Sequence, residues 1–302
     1  MTPLEQEQIR AAALVWLQQR TLGGTVPISR EELANDFQFN GSRFALVDRG
    51  RGIRKPERWR AALSILTAVP KSGRVRPYDD DEGLDGLHRY KLRRDSAGSA
   101  ENESLRVAMR EELPLIWFYG VSTGMFNAIF PVYLIDEEPE QDQFVVALTE
   151  SQRYMRRASP VEHSLRHYLI AETKRRLHQP LFASQVKLAY EMRCAVCQLG
   201  ERELLDAAHI VPDSHPDGEP VVSNGLALCK IHHAAYDRNI LGIRPNLVVE
   251  IHHRLLEEVD GPMLRHGLQD HHERPLMQLP RRRTDQPDAR RLAVRYDEFR
   301  AA

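Results

Sequence analysis

The sequence lacks the features that would mark a membrane, secreted or broadly nucleic-acid-coating protein. Its 302 residues carry 42 Lys and Arg against 43 Asp and Glu, a net charge of −1, so any basic surface must be local. No apolar run approaches the roughly 20 residues that cross a bilayer. The start of the chain reads MTPLEQEQIRAAALVWLQQR, which is acidic and amphipathic and unlike a secretory signal. We therefore expect a cytoplasmic protein that does not contact membranes.

Cysteine is also scarce. The chain has three cysteines, too few and too clustered for a disulfide framework, and in a reducing compartment a Cys-x-x-Cys pair more often holds a metal or does redox work. Cys194 and Cys197 form one such pair, and Cys229 with His232 forms a second pair about thirty residues later, which is typical spacing for tetrahedral zinc. The spacing predicts a structural zinc site made of these four residues. A catalytic dithiol would leave Cys229 and His232 unexplained.

The first 70 residues have mainly helical patterning. Apolar residues recur at helical spacing in EQEQIRAAALVWLQQR, and ISREELANDF opens with a Ser that is followed three residues later by Glu, which is a capping box. A further helix is predicted for KPERWRAALSIL. These segments together predict a helical N-terminal cap.

From residue 71 to residue 150 the pattern changes to short apolar runs rich in aromatic and branched residues. These runs are LPLIWFYGV, AIFPVYLI and QFVVAL, and they are separated by Gly, Pro and acidic turns. One helix, NESLRVAM, is expected among them. We therefore predict a compact β-rich domain, which together with the cap makes a first domain of residues 1–150.

Residues 151–192 are predicted to be a helical connector. The part 151–187 has eight Lys and Arg against two Glu, a local excess that suits contact with a phosphate backbone. A solvated helix that links two domains explains the composition equally well. The remaining residues, 193–302, form a last domain, and the polar stretch RRRTDQPDARR near its end is expected to be a mobile surface arm.

The loop between the two metal-binding pairs contains further polar residues. His209 lies in DAAHIVP, Asn224 lies in SNGLALC, and His233 and Asp237 follow the second pair in CKIHHAAYD. This order of His, Asn and His, framed by zinc pairs, resembles the HNH nuclease family and its ββα-metal fold over roughly residues 190–245. The resemblance implies a metal-dependent DNA endonuclease.

The chemistry of phosphodiester hydrolysis explains these residue types. The reaction needs a base to activate water and a cation to stabilise the phosphorane and the leaving oxygen. His209, at the end of a strand, suits the base because its pKa is naturally near neutrality. His233 and Asp237 are spaced i,i+4 and so can bind one divalent ion, Mg²⁺ or another, from a single helix face. Asn224 resembles the family residue that braces the loop and orients the base.

The sequence departs from the HNH pattern at one position. Many HNH sites have an acidic residue or a histidine as a metal ligand immediately before the base, and Ala208 stands there. Asp206 is one substitute, because two residues back along a strand lies on the same face. Asp237 is the other, and we favour it. Asp213, His215 and Asp217, in the turn-rich loop PDSHPDGEP, are interpreted as solvated bystanders.

A second motif lies in RPYDDDEGLDGLHRYKL. Tyr78, an acidic run, glycines and then Tyr90 resemble the hallmark of SRA (SET- and RING-associated) domains, which flip a modified cytosine out of duplex DNA. The resemblance implies that Tyr78 and Tyr90 sandwich the base and that Asp81 accepts a hydrogen bond from its amino group. An acidic surface turn with locally packed tyrosines is the alternative interpretation.

These features together predict an α+β protein with a helical N-terminal cap, a β-rich SRA/PUA-like domain, a helical connector and a zinc-stapled ββα-metal HNH domain. It resembles bacterial SRA–HNH enzymes, which implies cleavage of double-stranded DNA that carries 5-methyl- or 5-hydroxymethylcytosine. A homodimer on DNA is expected, because one HNH site attacks one phosphodiester at a time. Two alternatives are an HNH defence effector that senses a small nucleotide, and a zinc module that binds without catalysis.

Overall fold

The computed structural model describes residues 2–69, 87–92, 98–154 and 177–302. The chain divides into two compact units, Met1–Leu181 and Phe182–Ala302, which are called unit 1 and unit 2 below. The division falls inside the segment 151–192 that the sequence marks as a connector. Residues 155–176 of that segment lie outside the described part of the chain.

Unit 1 combines a sheet with three described helices. The helices are α1 (Pro3–Arg20), α2 (Arg30–Asn35) and α3 (Gly98–Arg110), and the strands are β1 (Ile28–Ser29), β2 (Gln38–Phe39), β3 (Ser42–Arg43), β4 (Ile53–Arg54), β5 (Ser64–Thr67), β6 (His88–Lys91), β7 (Leu115–Ser122), β8 (Met125–Glu138) and β9 (Gln143–Ala147). The described strands of the main sheet run in the order β4-β5-β7-β8-β9-β6, and β1 adds to β8. Of these pairs, β5 and β7 are parallel.

Both faces of this sheet are buried. Along β7, Ile116 and Phe118 pack in one cluster with residues of α1 and α2, whereas Leu115 and Trp117 pack in a second cluster with residues of α3. This is the alternation expected of a strand, whose successive side chains point to opposite faces. The hydroxyl of Tyr90 on β6 donates to the carbonyl of Gly52, next to β4, at 3.2 Å. The sheet therefore curls until its two end strands approach each other.

Most of the sequence predictions for the β-rich region are confirmed. The three apolar runs become β7, β8 and β9, and α3 contains the predicted helix NESLRVAM. The capping box at the start of α2 is present, since the Ser29 side chain accepts from the Glu32 amide and the Glu32 side chain accepts from the Ser29 amide. Each of these elements is encoded by local spacing.

The prediction of a helix over KPERWRAALSIL is wrong. This segment forms a turn, with the amide of Trp59 donating to the carbonyl of Pro56 at 3.1 Å, and then β5. Ile65 of β5 is fully buried and lies between Ile53 of β4 and Trp117 of β7. Sheet pairing with distant strands outweighs the local helical pattern. Since β1, β4 and β5 also belong to the sheet, the N-terminal region is not a separate helical cap.

Unit 2 begins within α4 (Gln179–Ala189) and is built around a strand hairpin followed by a helix. Its elements are β10 (Leu205–His209), β11 (Gly225–Cys229), α5 (Lys230–Asp237), β12 (Leu241–Ile243), β13 (Val249–Ile251), α6 (His253–Leu256), α7 (Pro262–Gly267) and α8 (Ala289–Ala301). β10 and β11 are antiparallel, with His209 opposite Gly225 and Leu205 opposite Cys229. The hairpin and α5 give unit 2 the predicted ββα order.

The C-terminal stretch is more ordered than the sequence suggested. Asp288 caps α8 by accepting from the amides of Arg290 and Arg291, and the helix buries Leu292 and Phe299. A Cβ at Gly242 of β12 would lie 2.6 Å from the ring of Phe299, so the helix packs directly on that strand. Of the stretch 281–291 that was expected to be a mobile arm, the last three residues thus begin a packed helix, Ala289–Ala301, and Arg283–Asp285 form a short 3-10 helix. None of the helices in the described ranges has the length and apolar character needed to cross a membrane.

Candidate active site

The two short pairs of potential metal ligands come together in unit 2, as their spacing predicts. The ligand atoms of Cys194, Cys197, Cys229 and His232 all lie within 4.8 Å of one another. The sulfur of Cys229 lies 3.1 Å from Nδ1 of His232, and the sulfurs of Cys197 and Cys229 are 4.0 Å apart. Ligands around one tetrahedral zinc lie about 3.5–3.8 Å from each other. The four residues therefore form a group that could hold a metal ion.

Local backbone geometry presents these four side chains. Cys194 and Cys197 lie in a tight turn in which the amide of Gln198 donates to the carbonyl of Cys194 at 2.9 Å. Cys229 ends β11 and is the N-cap of α5, so His232 follows in the first helical turn. Nε2 of His232 donates to the carbonyl of Gly267 at 2.8 Å, and this contact holds the ring with Nδ1 directed at the sulfurs.

The cluster also favours ionisation of one thiol. Hydrogen bonds from Cys194 and Cys197 lower the pKa of the Cys229 thiol and outweigh burial, which acts in the opposite direction. Cysteine binds metal as the thiolate. One of the three thiols is thus favoured as the thiolate, the form in which cysteine binds metal.

His209 ends β10 next to a fully buried asparagine. Phe182 of α4 stacks on the imidazole of His209, with ring centroids 4.0 Å apart and an interplanar angle of 13°. Asn224 accepts from the amide of Val211 at 3.0 Å and donates to the carbonyls of Val211 at 3.1 Å and Glu219 at 3.0 Å. The asparagine therefore clamps both ends of the loop that follows His209.

His233 lies between two carboxylates. Its Nδ1 is 3.2 Å from Oδ2 of Asp206, and its Nε2 is 3.4 Å from Oδ2 of Asp237 one helical turn later. Lys230 also contacts Asp206, with Nζ 2.6 Å from Oδ1. Burial alone would raise the pKa of Asp206, but hydrogen bonds from Lys230 and His233 outweigh it and lower the pKa. Asp206 is therefore an ionised acceptor at neutral pH.

The two carboxylates that the sequence left as alternatives lie on opposite sides of the His233 ring. An ionised Asp206 only accepts, so Nδ1 of His233 is the donor in their contact. Nε2 lies beside Asp237, at a separation close to the roughly 3 Å between neighbouring oxygen or nitrogen ligands of one octahedral cation. His233 and Asp237 can share one ion, while Asp206 contacts the opposite side of the ring.

The structure includes contacts that sequence reasoning missed. Phe182 lies 27 positions before His209, and no motif links them. Lys187, one of the basic residues of 151–187, is only 3% exposed, and burial lowers its pKa. Arg153 is paired with Glu112 at 2.7 Å. These two basic residues are engaged inside their own units and do not form the predicted phosphate-binding surface.

Of the three residues expected to read a modified base, Tyr78 and Asp81 lie outside the described residues. Tyr90 lies on β6 and is 6% exposed. Its ring meets that of Trp117 edge to face, with centroids 6.4 Å apart and an angle of 87°. Tyr90 thus faces the interior of the curled sheet of unit 1.

Unit 2 contains a strand hairpin followed by a helix, with a Cys₃His group at their junction and further histidines on the strand and the helix. These features define a ββα-metal domain. Residues 194–244 match the family model of HNH endonucleases, a span that contains all of these residues. No curated protein matches the chain. A solved structure titled "Modification dependent TagI restriction endonuclease" is 17% identical with a TM-score of 0.29, and the match covers 79% of this chain and 82% of that one. Residues 194–244 are an HNH endonuclease domain, and the protein is a DNA endonuclease.

Proposed function

We propose that the protein is a modification-dependent DNA endonuclease. Unit 1 takes up a 5-methyl- or 5-hydroxymethylcytosine flipped out of double-stranded DNA, and the HNH domain of unit 2 hydrolyses a nearby phosphodiester bond. The observation that carries the nuclease half is the grouping of His209, the clamp formed by Asn224, and the pair of His233 and Asp237 on one ββα unit.

His209 acts as the general base in this proposal. It removes a proton from the attacking water, a task for which the half-buried imidazole is chemically suited. The stacked ring of Phe182 sets the plane of the imidazole, and Asn224 holds the loop that follows it. The base is thereby held in one orientation before substrate arrives.

Two kinds of metal fit the donor sets. The three thiols and one imidazole at the start of α5 match zinc in a structural role. His233 Nε2 and Asp237 offer a nitrogen and an oxygen, which suit Mg²⁺ or another divalent cation. Such a cation would stabilise the negative charge that develops on the phosphate and on the leaving 3′ oxygen. Asp206 orients His233 for this task through its contact with Nδ1.

The reader half rests on the resemblance at Tyr78, Asp81 and Tyr90 and on the position of Tyr90. Its ring lies on the inner face of a curled sheet, where aromatic side chains surround it. An unstacked base loses a few kcal/mol, which stacking at about 1–3 kcal/mol per ring and a hydrogen bond to Asp81 can offset. Because one HNH site cuts one strand at a time, we propose that two chains act together on the duplex.

The test is digestion of three matched plasmids that carry cytosine, 5-methylcytosine or 5-hydroxymethylcytosine, with and without Mg²⁺. We expect Mg²⁺-dependent cleavage of one or both modified plasmids and little cleavage of the unmodified plasmid. Equal cleavage of all three would refute the reader. Equal cleavage that appears only after addition of a small nucleotide would instead support the nucleotide-sensing effector.

A further inference from the structure

A chain of aromatic side chains lines the inner face of unit 1. His88 and Tyr90 are two apart on β6, and Trp117 and Tyr119 are two apart on β7, so each pair points to one face of its strand. The ring of Trp117 lies 6.0 Å from that of His88 and 5.5 Å from that of Tyr119, centroid to centroid. Tyr119 is half-buried, so this cluster reaches the surface at one end.

His88 differs from its neighbours in its hydrogen bonding. The indole of Trp117 donates to the hydroxyl of Thr67 at 2.9 Å, and the hydroxyl of Tyr90 donates to Gly52. His88 is only 4% exposed, yet neither of its ring nitrogens has a hydrogen-bond partner within the described ranges. A buried polar group without a partner costs about 1–3 kcal/mol. Because the unpartnered imidazole of His88 destabilises the fold, it is a candidate for hydrogen bonding to a ligand.

The charge state of His88 indicates what kind of ligand fits. Burial, together with the nearby His178 and Arg89, lowers the pKa of His88 to about 4, so the ring is neutral at physiological pH. A neutral imidazole offers one donor and one acceptor. It is therefore poorly matched to a phosphate, and it is complementary to the mixed donor and acceptor edge of a nucleobase.

We propose that His88 hydrogen-bonds the edge of the flipped base, as a reading residue additional to those of the proposed function. The inference rests on the proposed uptake of a modified cytosine by unit 1. The aromatic rings beside His88 supply apolar contact, and His88 supplies the polar contact. Base pockets commonly combine apolar walls with a few polar groups that hydrogen-bond the edge of the base.

The test is the ratio of affinities for modified and unmodified duplex, measured for the full chain with His88→Phe. Phenylalanine keeps a ring of similar shape and removes both unpartnered nitrogens, so the melting temperature is expected to stay the same or rise. The affinity ratio is expected to fall roughly tenfold or more, because the base loses a buried hydrogen bond. A structural role for His88 would give the opposite pattern, with lower stability and an unchanged ratio.

Three further variants complete the experiment. His88→Leu is a second apolar variant, smaller than Phe, for use if the larger ring disturbs the fold. His88→Gln retains a donor and an acceptor. Its ratio of affinities for modified and unmodified duplex should therefore lie between that of His88→Phe and that of the wild type. Lys91→Gln, on the other face of β6, is the matched control and should leave the ratio unchanged.

The outcomes separate the two proposals. If wild type prefers modified duplex and both apolar variants keep that preference, His88 is not a reading residue and the proposed function stands. If wild type shows no preference for modified duplex, the reader itself fails, and the assignment of His88 fails with it.

Discussion

At the scale of single residues, three histidines of unit 2 have different chemical roles because different side chains surround them. His209 lies against the face of Phe182, His233 lies between Asp206 and Asp237, and His232 faces three sulfurs. The aromatic face holds the plane of the first ring, the carboxylates orient the second, and thiolates with a metal would make the third a ligand. Substitution of each histidine should therefore produce a different defect.

His209→Ala should lower the rate of DNA cleavage by about 10²–10⁴-fold, the usual contribution of a general base. Affinity for DNA and bound zinc should not change, because His209 belongs to neither function. The matched control is His215→Ala, an exposed histidine in the loop that follows β10. Nicking of a supercoiled plasmid under saturating Mg²⁺ measures the effect, and undiminished nicking by His209→Ala would place the base elsewhere.

Asp237 and Asp206 should give separable defects. Asp237→Asn removes a charged oxygen beside Nε2 of His233, so the Mg²⁺ concentration needed for half-maximal cleavage should rise. Asp206→Asn weakens the orientation of His233 and should lower cleavage by about 10–100-fold, with a smaller change in the Mg²⁺ requirement. Titration of Mg²⁺ measures both, with the exposed Asp217→Asn as control. If the Mg²⁺ concentration needed for half-maximal cleavage rises more in Asp206→Asn than in Asp237→Asn, Asp206 is the metal ligand.

At the scale of secondary structure, the position of α4 on β11 depends on the absence of a side chain at Gly225. A Cβ there would collide with Val186 of α4 and come within 3.0 Å of the ring of Phe182. The hydroxyl of Tyr190, just after α4, donates to the carbonyl of Gly225 at 3.2 Å. The helix can approach the strand, and Phe182 can reach His209, because residue 225 is glycine.

Gly225→Ala should therefore affect both stability and cleavage. The added methyl should destabilise unit 2 by about 1–3 kcal/mol, the usual cost of an overpacked core. It should also lower the cleavage rate, since Phe182 must move from its place over His209. Gly200→Ala is the control, because its Cβ would approach other atoms no closer than 3.7 Å. Equal denaturation curves for the two variants would show that α4 accommodates the methyl.

At the scale of the whole molecule, the two units have separate cores and different stabilising elements. Unit 1 has two apolar clusters, one on each face of its sheet, whereas the core of unit 2 surrounds the Cys₃His group. The chain has three tryptophans, Trp16, Trp59 and Trp117, and all three lie in unit 1. Tryptophan fluorescence therefore reports the unfolding of unit 1 alone.

Removal of zinc should unfold unit 2 and spare unit 1. Cys229→Ser, or prolonged treatment with a strong chelator, should release about one zinc per chain and abolish the calorimetric transition of unit 2, because metal binding and folding are coupled in small sites. The thermal transition seen by tryptophan fluorescence should remain. Retained zinc together with full cleavage activity in Cys229→Ser would exclude the ligand assignment.

The sequence by itself determined the features that depend on local spacing. Three kinds of local pattern each encode a structure within a few residues, and the structure has them all. They are the two-residue spacers of the cysteine and histidine pairs, the short apolar runs in residues 113–148 and the capping box at Ser29. The order of His209 and Asn224 between those pairs, with His233 directly after the second pair, was likewise enough to indicate the nuclease domain.

Tertiary structure alone decided the contacts between residues far apart in the chain. KPERWRAALSIL has a helical pattern, but its end becomes β5 because β4 and β7 lie on either side of it. The end of the chain follows a polar stretch, but it forms α8, which packs Phe299 on β12 and also buries Leu292. Three other features likewise have no signal in the local sequence. They are the stack of Phe182 on His209, the contact of Asp206 with His233 and the burial of His88. Packing energy is a property of the assembled neighbours, and neighbours that are distant in sequence leave no pattern in either segment alone.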